Sequence, residues 1–549
     1  MKFLFVLCVF CGLSISSHAL DREAFTFTHY KLNISLEPEQ HRLAVRGTIT
    51  LRNDSNTPQK NISLQISSSL TWRSIRLDQK PLEFVSQSYT SDIDHTGSLS
   101  EAIVDLPEAI PPKGTLDLIV GYEGVVPVDT TRLTRIGVPE TVAKRTDWDQ
   151  IGNEFTAVRG IGYVVWYPVA TEAANLSEDN SVFETIGRWK SRSAGFSMDV
   201  EFESSIDRPI IVGGRSGNDV PTFVMADYKK IAARGTSSIR YLAGSDEAAE
   251  AYAQFLTKLD LPYFVHKEGS LQILQLRDAG AAPFISGSVL LTPLDTTISS
   301  DAELNAIYAL SRQSLDSPRI WIRDGLSHYA QLQHIEQQGG RQAVLSYLSA
   351  RLPLLSEAQK ARISSSKDSA TQQEATGSLI NSNDDPRAEI KAMWVWWMLR
   401  DMCSESVMIG PIGNYQPTAD KEPSYMQHLV ETACKKDLEW FFDDWVYRDK
   451  GLPDFHIASV YPRKNLKEGY LTTVTVENLG SAGAEVPVTM HDASGNFTER
   501  LLVKGKAQSS VRFATPGVPD QVILNDGSVP ESDISNNTFK VEPASVENK

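Results

Sequence analysis

The pair of residues best placed to do chemistry is Asp324 and His328. A carboxylate and an imidazole four positions apart lie on one face of a helix, and both are zinc ligands in proteins. Two ligands make a weak site without a third, so the favoured interpretation is an N-cap aspartate followed by a histidine on the surface or in the core. A metal site built on this pair stays as the alternative.

A second pair with the same spacing is Tyr308 and Arg312, whose side chains also share a helical face. One prediction is a buried ion pair between Arg312 and Asp324, and the alternative is that these two charged groups face solvent. The sequence contains neither GxSxG nor a cysteine beside a histidine motif, so a serine or cysteine triad is not supported.

Helices must position these side chains, and the sequence predicts where they lie. One helix is expected over Asp301–Leu315. Ile390–Leu399 is apolar almost all round, which indicates a helix buried on every side. The preceding stretch, Lys360–Glu389, is polar and rich in serine, so a long loop or a partly disordered lid is predicted there. Upstream, we expect a helix over Ser245–Leu259 and strands over Leu271–Leu276 and Ser288–Leu291.

The flanking regions alternate between apolar and polar residues, as half-buried strands do. Leu32, Ile34 and Leu36 begin this pattern, and it returns after Gly451. A length of 549 residues predicts about three folded units. We therefore predict a multidomain α+β protein: residues 20–240 form an antiparallel β-domain, 241–450 a mainly helical domain and 451–549 a β-sandwich.

Residues 1–19 have the features of a secretory signal. Lys2 precedes an apolar run that is too short to span a bilayer, and Ser17-His18-Ala19 supplies small residues for cleavage. We expect a secreted or periplasmic protein without a transmembrane segment after cleavage. Cys403 and Cys434 would remain in the mature chain and could pair in an oxidising compartment. The net charge of −16, without a basic run, disfavours nucleic acid as a partner.

The order of these regions and several local motifs resemble the membrane alanyl aminopeptidases, a family of gluzincin zinc exopeptidases. The resemblance implies an N-terminal β-saddle, a thermolysin-like catalytic domain and a C-terminal β-sandwich. The segments that carry it are His29–Ser55, Trp166-Tyr167-Pro168, Ile320–Gln331, Ile390–Met402 and Asp437–Phe455.

The family's chemistry needs HExxH on one helix, because residues four apart can bring two imidazoles to one zinc while the glutamate acts as general base. This chain has no HExxH. In the resemblance, Tyr308 and Arg312 stand at the histidine positions and Ala309 at the base. Asp324 stands at the third ligand, and Glu389 at the transition-state tyrosine. The strand that should carry the amine-binding glutamate matches Gly280–Ser288, which has no acidic residue.

We therefore predict a pseudoenzyme without a cofactor, one that binds a peptide or protein segment in a cleft between the first two domains. The alternative is an active metallo-aminopeptidase that holds zinc through unusual ligands around Asp324 and His328. A third possibility is a structural or assembly role for the C-terminal sandwich.

Overall fold

The computed structural model describes residues 20–541, with gaps at 128–129, 136, 176–180, 194, 216–218, 262–269, 316, 357–377, 381–385 and 466–467. The predicted signal and most of the predicted polar loop lie outside the described residues. Within them, the chain forms several β-sheets and a helical region, so it is a multidomain protein of sheets and helices.

The N-terminal region is built from three sheets. A six-stranded sheet has the order β10-β1-β2-β8-β4-β5, and two three-stranded sheets have the orders β3-β7-β6 and β11-β12-β9. Leu32, Ile34 and Leu36 all point into the core, as their alternation predicts. The strands are β1 Phe25–Glu37, β2 Arg42–Asn53, β3 Gln59–Ser67, β4 Leu70–Leu77, β5 Lys80–Pro81, β6 Phe84–Thr90, β7 Ser98–Ile110, β8 Thr115–Val125, β9 Phe155–Val158, β10 Ser197–Ser204, β11 Ile210–Gly213 and β12 Thr222–Ala226.

Two features of this region differ from the prediction. It is not purely antiparallel, because β10 pairs parallel to β1. Parallel neighbours need a crossover rather than a hairpin, and β10 is reached through helix α3, Ser181–Arg192, which was not predicted. Trp189 anchors α3 in the core. Two short helices were also not predicted, α1 Thr131–Arg135 and α2 Glu140–Thr146.

The central region opens with a mixed five-stranded sheet of order β13-β14-β15-β17-β16. Its first two strands, β13 and β14, begin before residue 241. They belong to this sheet because β13 pairs with β14 and β14 pairs with β15. Strands β15 and β17 lie where strands were predicted. The strands are β13 Lys229–Ala232, β14 Ser238–Tyr241, β15 Gln272–Gln275, β16 Phe284–Ser286 and β17 Val289–Thr292.

Helices follow this sheet, and the two predicted at Ser245–Leu259 and Asp301–Leu315 are present with ends within one residue of the prediction. Helix α5 begins after Ser299, whose hydroxyl accepts the backbone N–H of Ala302. The long helix α6 is interrupted at Gly340, where φ is 70°. The helices are α4 Asp246–Lys258, α5 Ser300–Ser314, α6 Ile320–Ser349, α7 Pro386–Cys403, α8 Glu405–Asn414, α9 Tyr425–Cys434 and α10 Glu439–Phe442.

Helix α7 begins earlier than predicted, so Glu389 is helical and does not belong to a loop. Of the predicted apolar stretch Ile390–Leu399, Ile390 is half-buried and residues 391–399 are buried, Lys391 among them. Trp396 stacks on Trp321 of α6 at 5.4 Å between ring centroids, and its indole donates to the Trp321 carbonyl. These tryptophans are core packing, which fixes α6 and α7 against one another.

The C-terminal strands form two sheets, of order β18-β19-β22 and β21-β20-β23-β24. Their core is continuous with that of the helical region. Trp445 lies where these two regions meet, and its indole N–H donates to the carbonyl of Gly483. A disulfide joins Cys403 to Cys434. The strands are β18 Phe455–Lys464, β19 Tyr470–Asn478, β20 Ala484–Asp492, β21 Gly495–Val503, β22 Gln508–Thr515, β23 Pro519–Leu524 and β24 Thr538–Lys540.

Every helix in the described part of the chain is too short or too polar to traverse a lipid bilayer.

Candidate functional site

The residues singled out in the sequence meet where three helices pack together. Helix α5 supplies Tyr308 and Arg312, α6 supplies Asp324 and His328, and α7 supplies Glu389. The four-residue spacings place each pair on one helical face, as expected. Ala309 is fully buried in the hydrophobic core beside them.

Asp324 is the centre of this cluster, and it is buried with a 2% exposed fraction. Its Oδ1 accepts the Tyr308 hydroxyl at 2.7 Å and the Arg312 Nε at 2.8 Å. Its Oδ2 accepts Nε and Nη2 of Arg323 at 3.1 and 2.8 Å. The ion pair between Arg312 and Asp324 predicted as one possibility is therefore present.

Electrostatics keep this carboxylate ionised. Burial by itself raises the pKa of Asp324, but the charges of Arg323 and Arg312 outweigh it and hold that pKa well below its usual range. Burial, reinforced by the Asp324 charge, raises the pKa of Tyr308 far above its ordinary value. The phenol thus remains a hydrogen-bond donor at every physiological pH.

Arg312 also connects the helical region to the N-terminal region. Its Nη1 lies 2.7 Å from Oδ1 of Asp219, which sits between β11 and β12. Burial by itself raises the pKa of Asp219, but the positive charges of Arg312 and Arg323 lower it by more. The pKa of Asp219 therefore lies below its ordinary value. The cluster therefore holds two arginines between two ionised aspartates.

His328 lies beside the cluster and contacts other groups. Its Nε2 is 3.4 Å from Oε2 of Glu389, and its Nδ1 is 2.9 Å from Oε1 of Gln331. Burial by itself lowers the pKa of His328, but the interaction with Glu389 outweighs this and raises it. The Tyr308 ring packs against the imidazole at 4.7 Å between centroids. No bond joins His328 to Asp324 among the described residues.

The arrangement does not suit a zinc ion. Both oxygens of Asp324 are bonded to guanidinium groups, whose charge repels a cation, and arginine cannot deprotonate to become a ligand. In the described ranges, no three His, Cys, Asp or Glu side chains converge as a metal site would require. The residues at the predicted ligand positions thus do not fit the metal.

A small cavity of about 130 Å³ opens on the cluster. Lys190 of α3 and the edge strand β16, through Phe284 and Ile285, complete its wall. Strand β16 is held by the N-terminal region. The guanidinium of Arg159 lies 3.9 Å from the Trp148 ring centroid and 5.3 Å from that of Phe284, and the Trp148 indole donates to the Ala282 carbonyl.

A second cavity, of about 680 Å³, lies between the N-terminal and central regions. Its walls come from α2, the 278–283 loop before β16, the first half of α5 and the end of α6. Gln331 separates this cavity from the cluster, because its Oε1 bonds to His328 and its Nε2 donates to the Leu304 carbonyl at 2.8 Å. We call it the large cavity below.

The sequence interpretation missed several members of the site. Arg323 precedes Asp324 in the chain and could have been considered as its partner. Gln331 follows His328 by three residues on the same helix, a spacing that could have indicated their contact. Asp219 and Lys190 carried no local signal, because only the tertiary fold brings them to the cluster.

The sequence matches no known protein-family model and no curated protein. Among solved structures, the chain is similar to an M1 zinc metallopeptidase from Deinococcus radiodurans, a mutant bound to a Tyr-Ser-Ala substrate. The identity is 13%, the TM-score is 0.47, and the match covers 79% of this chain and 96% of the other. No residue role is transferred from it.

Proposed function

We propose that this protein is a non-catalytic relative of the zinc aminopeptidases that binds a peptide or protein segment between its N-terminal and central regions. The observation that carries the proposal is the state of Asp324, whose two oxygens are bonded to Arg312, Arg323 and Tyr308. A metallopeptidase needs a carboxylate at this position that is available to a cation. Here the carboxylate instead neutralises two arginines.

The position of the general base supports the same conclusion. Ala309 has no group that could take a proton from an attacking water, and no other carboxylate replaces it on that face of α5. The proposal is also supported by the contacts of Tyr308, Arg312 and Asp324, which form a network of ion pairs and a hydrogen bond. Such a network can stabilise the junction between two regions without any chemistry at its centre.

The large cavity supports the binding half of the proposal. Its volume of about 680 Å³ falls within the roughly 300–1,000 Å³ of typical ligand pockets. It lies at a junction between regions, where binding sites are common.

The proposal includes export of the protein from the cytoplasm. The signal-like features of residues 1–19 support a secreted or periplasmic protein. The Cys403–Cys434 disulfide is consistent with it, since such bonds persist in oxidising compartments. The division of the chain at residues 20–240, 241–450 and 451–549 likewise stays a prediction.

The test combines metal content with turnover. Purified protein is assayed for bound zinc by mass spectrometry and for hydrolysis of a panel of aminoacyl fluorogenic amides. We expect sub-stoichiometric zinc and no turnover beyond that of Asp324→Ala. The exposed Asp199→Ala serves as a matched control for loss of a carboxylate. Stoichiometric zinc with turnover that Asp324→Ala abolishes and Asp199→Ala retains would overturn the proposal in favour of an active peptidase.

A further inference from the structure

The segment between β23 and β24 lies over the place where the chain passes from the helical region into the C-terminal sheets. We refer to residues 525–537 as the β23–β24 connection. The backbone N–H of Ser532 donates to the carbonyl of Pro453 at 3.0 Å, two residues before β18 begins. On the other side, Oδ2 of Asp526 lies 3.1 Å from Nη2 of Arg341 in α6. The connection therefore contacts both regions at their junction.

Glu531 is buried within this connection and holds it in place. Its Oε1 accepts the side-chain amide N–H of Asn525 at 2.6 Å and that of Asn537, and its Oε2 accepts the backbone N–H of Phe455 at 3.4 Å. The amide of Asn525 is fixed in this orientation, because its Oδ1 accepts two backbone N–H groups of the same connection. One buried carboxyl group thus ties both ends of the connection to the first residue of β18.

A second carboxyl group, that of Asp454, acts on Glu531. Asp454 directly precedes Phe455, and its Oδ1 is buried without a hydrogen bond from any described residue. A buried oxygen atom that lacks a donor is destabilising. Burial, with the charge of Asp454 adding to it, raises the pKa of Glu531 to about 7. A proton held between the two carboxyl groups would remove their repulsion and supply the missing donor.

In the described part of the chain, no cation forms an ion pair with Glu531 or Asp454 in place of that proton. The other charged groups on the strands and segments around Glu531 have partners of their own or are exposed to solvent. They are His456 with Glu477, Asp526 with Arg341, Glu485 with Arg500, Asp520 with His491, Asp533 with the backbone N–H of Ser535, and the exposed Lys540. The two carboxyl groups therefore depend on a proton for their charge balance.

We propose that a proton shared by Glu531 and Asp454 acts as a latch, which keeps the β23–β24 connection docked on residues 453–455 while it is bound and frees the connection when it is lost. Loss of the proton leaves two neighbouring carboxylates that repel one another in a poorly solvated place. The latch is therefore closed at acidic pH and opens as pH rises above neutrality. An open connection no longer joins the C-terminal sheets to the helical region through Ser532 and Asp526.

Hydrogen–deuterium exchange of the full chain tests the latch. Exchange is measured by mass spectrometry at about pH 5.5 and about pH 8.5, with labelling times scaled for the intrinsic pH dependence of amide exchange. We expect peptides that cover residues 525–537 to lose protection by about tenfold or more at the higher pH, because the closed state loses its bound proton. Peptides from β1 and β2 in the N-terminal region are the internal reference and should not change.

Variants assign the proton to its two carboxyl groups. Glu531→Gln keeps a neutral side chain with an N–H in place of the O–H, so the connection should stay protected at both pH values. Asp454→Asn removes the repelling charge, so the loss of protection should fall to about threefold or less. Glu499→Gln, at an exposed glutamate on β21, is the matched control and should respond to pH like the unmodified protein.

Each part of the proposal has its own contrary result. Equal protection of residues 525–537 at both pH values in the unmodified protein would overturn the latch. A loss in Glu531→Gln as large as in the Glu499→Gln control would overturn the assignment to Glu531. A full loss in Asp454→Asn would overturn the sharing of the proton, and this variant still decides that point if Glu531→Gln does not fold.

Discussion

Two buried carboxylates, in different regions of the molecule, are held in different ways. Asp324 in the helical region is bonded to two guanidinium groups and a phenol. Glu531, in the connection between β23 and β24 of the C-terminal region, is buried to a similar extent, with a 1% exposed fraction. It accepts bonds from the side-chain amides of Asn525, at 2.6 Å, and Asn537, and from the backbone N–H of Phe455 at 3.4 Å.

The two carboxyl groups consequently ionise differently. For Asp324 the arginine charges outweigh burial and depress the pKa. For Glu531 burial outweighs its amide donors, and the nearby charge of Asp454 adds to it, which raises the pKa to about 7. At Glu531 the hydrogen bonds do not offset the effect of burial, whereas at Asp324 the paired positive charge does. Asp324 is thus a fixed anion, and Glu531 is a group that titrates in the physiological range.

The largest effect is expected for Asp324→Ala. Removing this carboxylate leaves Arg312 and Arg323 buried without their shared counter-charge, at a cost of about 3–5 kcal/mol in the free energy of unfolding. Urea unfolding followed by tryptophan fluorescence measures it. A loss below about 1 kcal/mol, the value of an exposed ion pair, would mean that the cluster is solvated and the contrast with Glu531 is wrong.

The next effect is the pH dependence contributed by Glu531. Its folded-state pKa of about 7 lies above its ordinary value of 4.5, so its stabilising contribution is complete below about 4.5 and is lost as pH rises through about 7. The size is on the order of 3 kcal/mol. The difference in unfolding free energy between wild type and Glu531→Gln, measured from pH 4 to 8, isolates it. A difference that stays flat would show that Glu531 has the same pKa in the folded and unfolded states and would contradict this prediction.

A smaller effect is expected for Asp219→Asn. This change removes the second counter-charge of Arg312 but leaves the bond to Asp324, so the cost should be about 2 kcal/mol, as for one hydrogen bond to a charged group. Thermal unfolding can rank it against Asp324→Ala. If Asp219→Asn is the more damaging of the two, the centre of the cluster is Arg312 and not Asp324.

The smallest effect is expected for Tyr308→Phe. Asp324 keeps both arginines when this hydroxyl is lost, so the change should cost about 1 kcal/mol. Chemical denaturation of Tyr308→Phe alone and combined with Asp219→Asn gives the coupling between them. A loss as large as that of Asp324→Ala would show that the phenol, not the paired charge, keeps the carboxylate in place.

Local patterns in the sequence were enough to predict much of the fold. Apolar alternation located β1 and β2, and the apolar run Ile390–Leu399 located the middle of α7. The polar stretch before it was a weaker guide, because serine and charged residues at a helix start resemble a loop. Glu389 was therefore placed in a loop, although it lies in the first turn of α7 beside His328.

The candidate site could be predicted only in part. The four-residue spacings of Tyr308 with Arg312 and of Asp324 with His328 correctly indicated shared helical faces. They could not show which face met which. The pairing of Arg312 with both Asp324 and Asp219 depends on how α5 packs against α6 and against the N-terminal sheets.

The sequence by itself determined the residue inventory: there is no HExxH, and Tyr308, Ala309 and Arg312 lie one and four residues apart. Those facts are local and survive any packing. Tertiary structure alone decided that Asp324 is shared between two arginines while Glu531 has only amides and a backbone N–H around it. The physical reason is that the ionisation of a buried group depends on the charges within a few ångströms, and in a folded chain those charges come from distant positions.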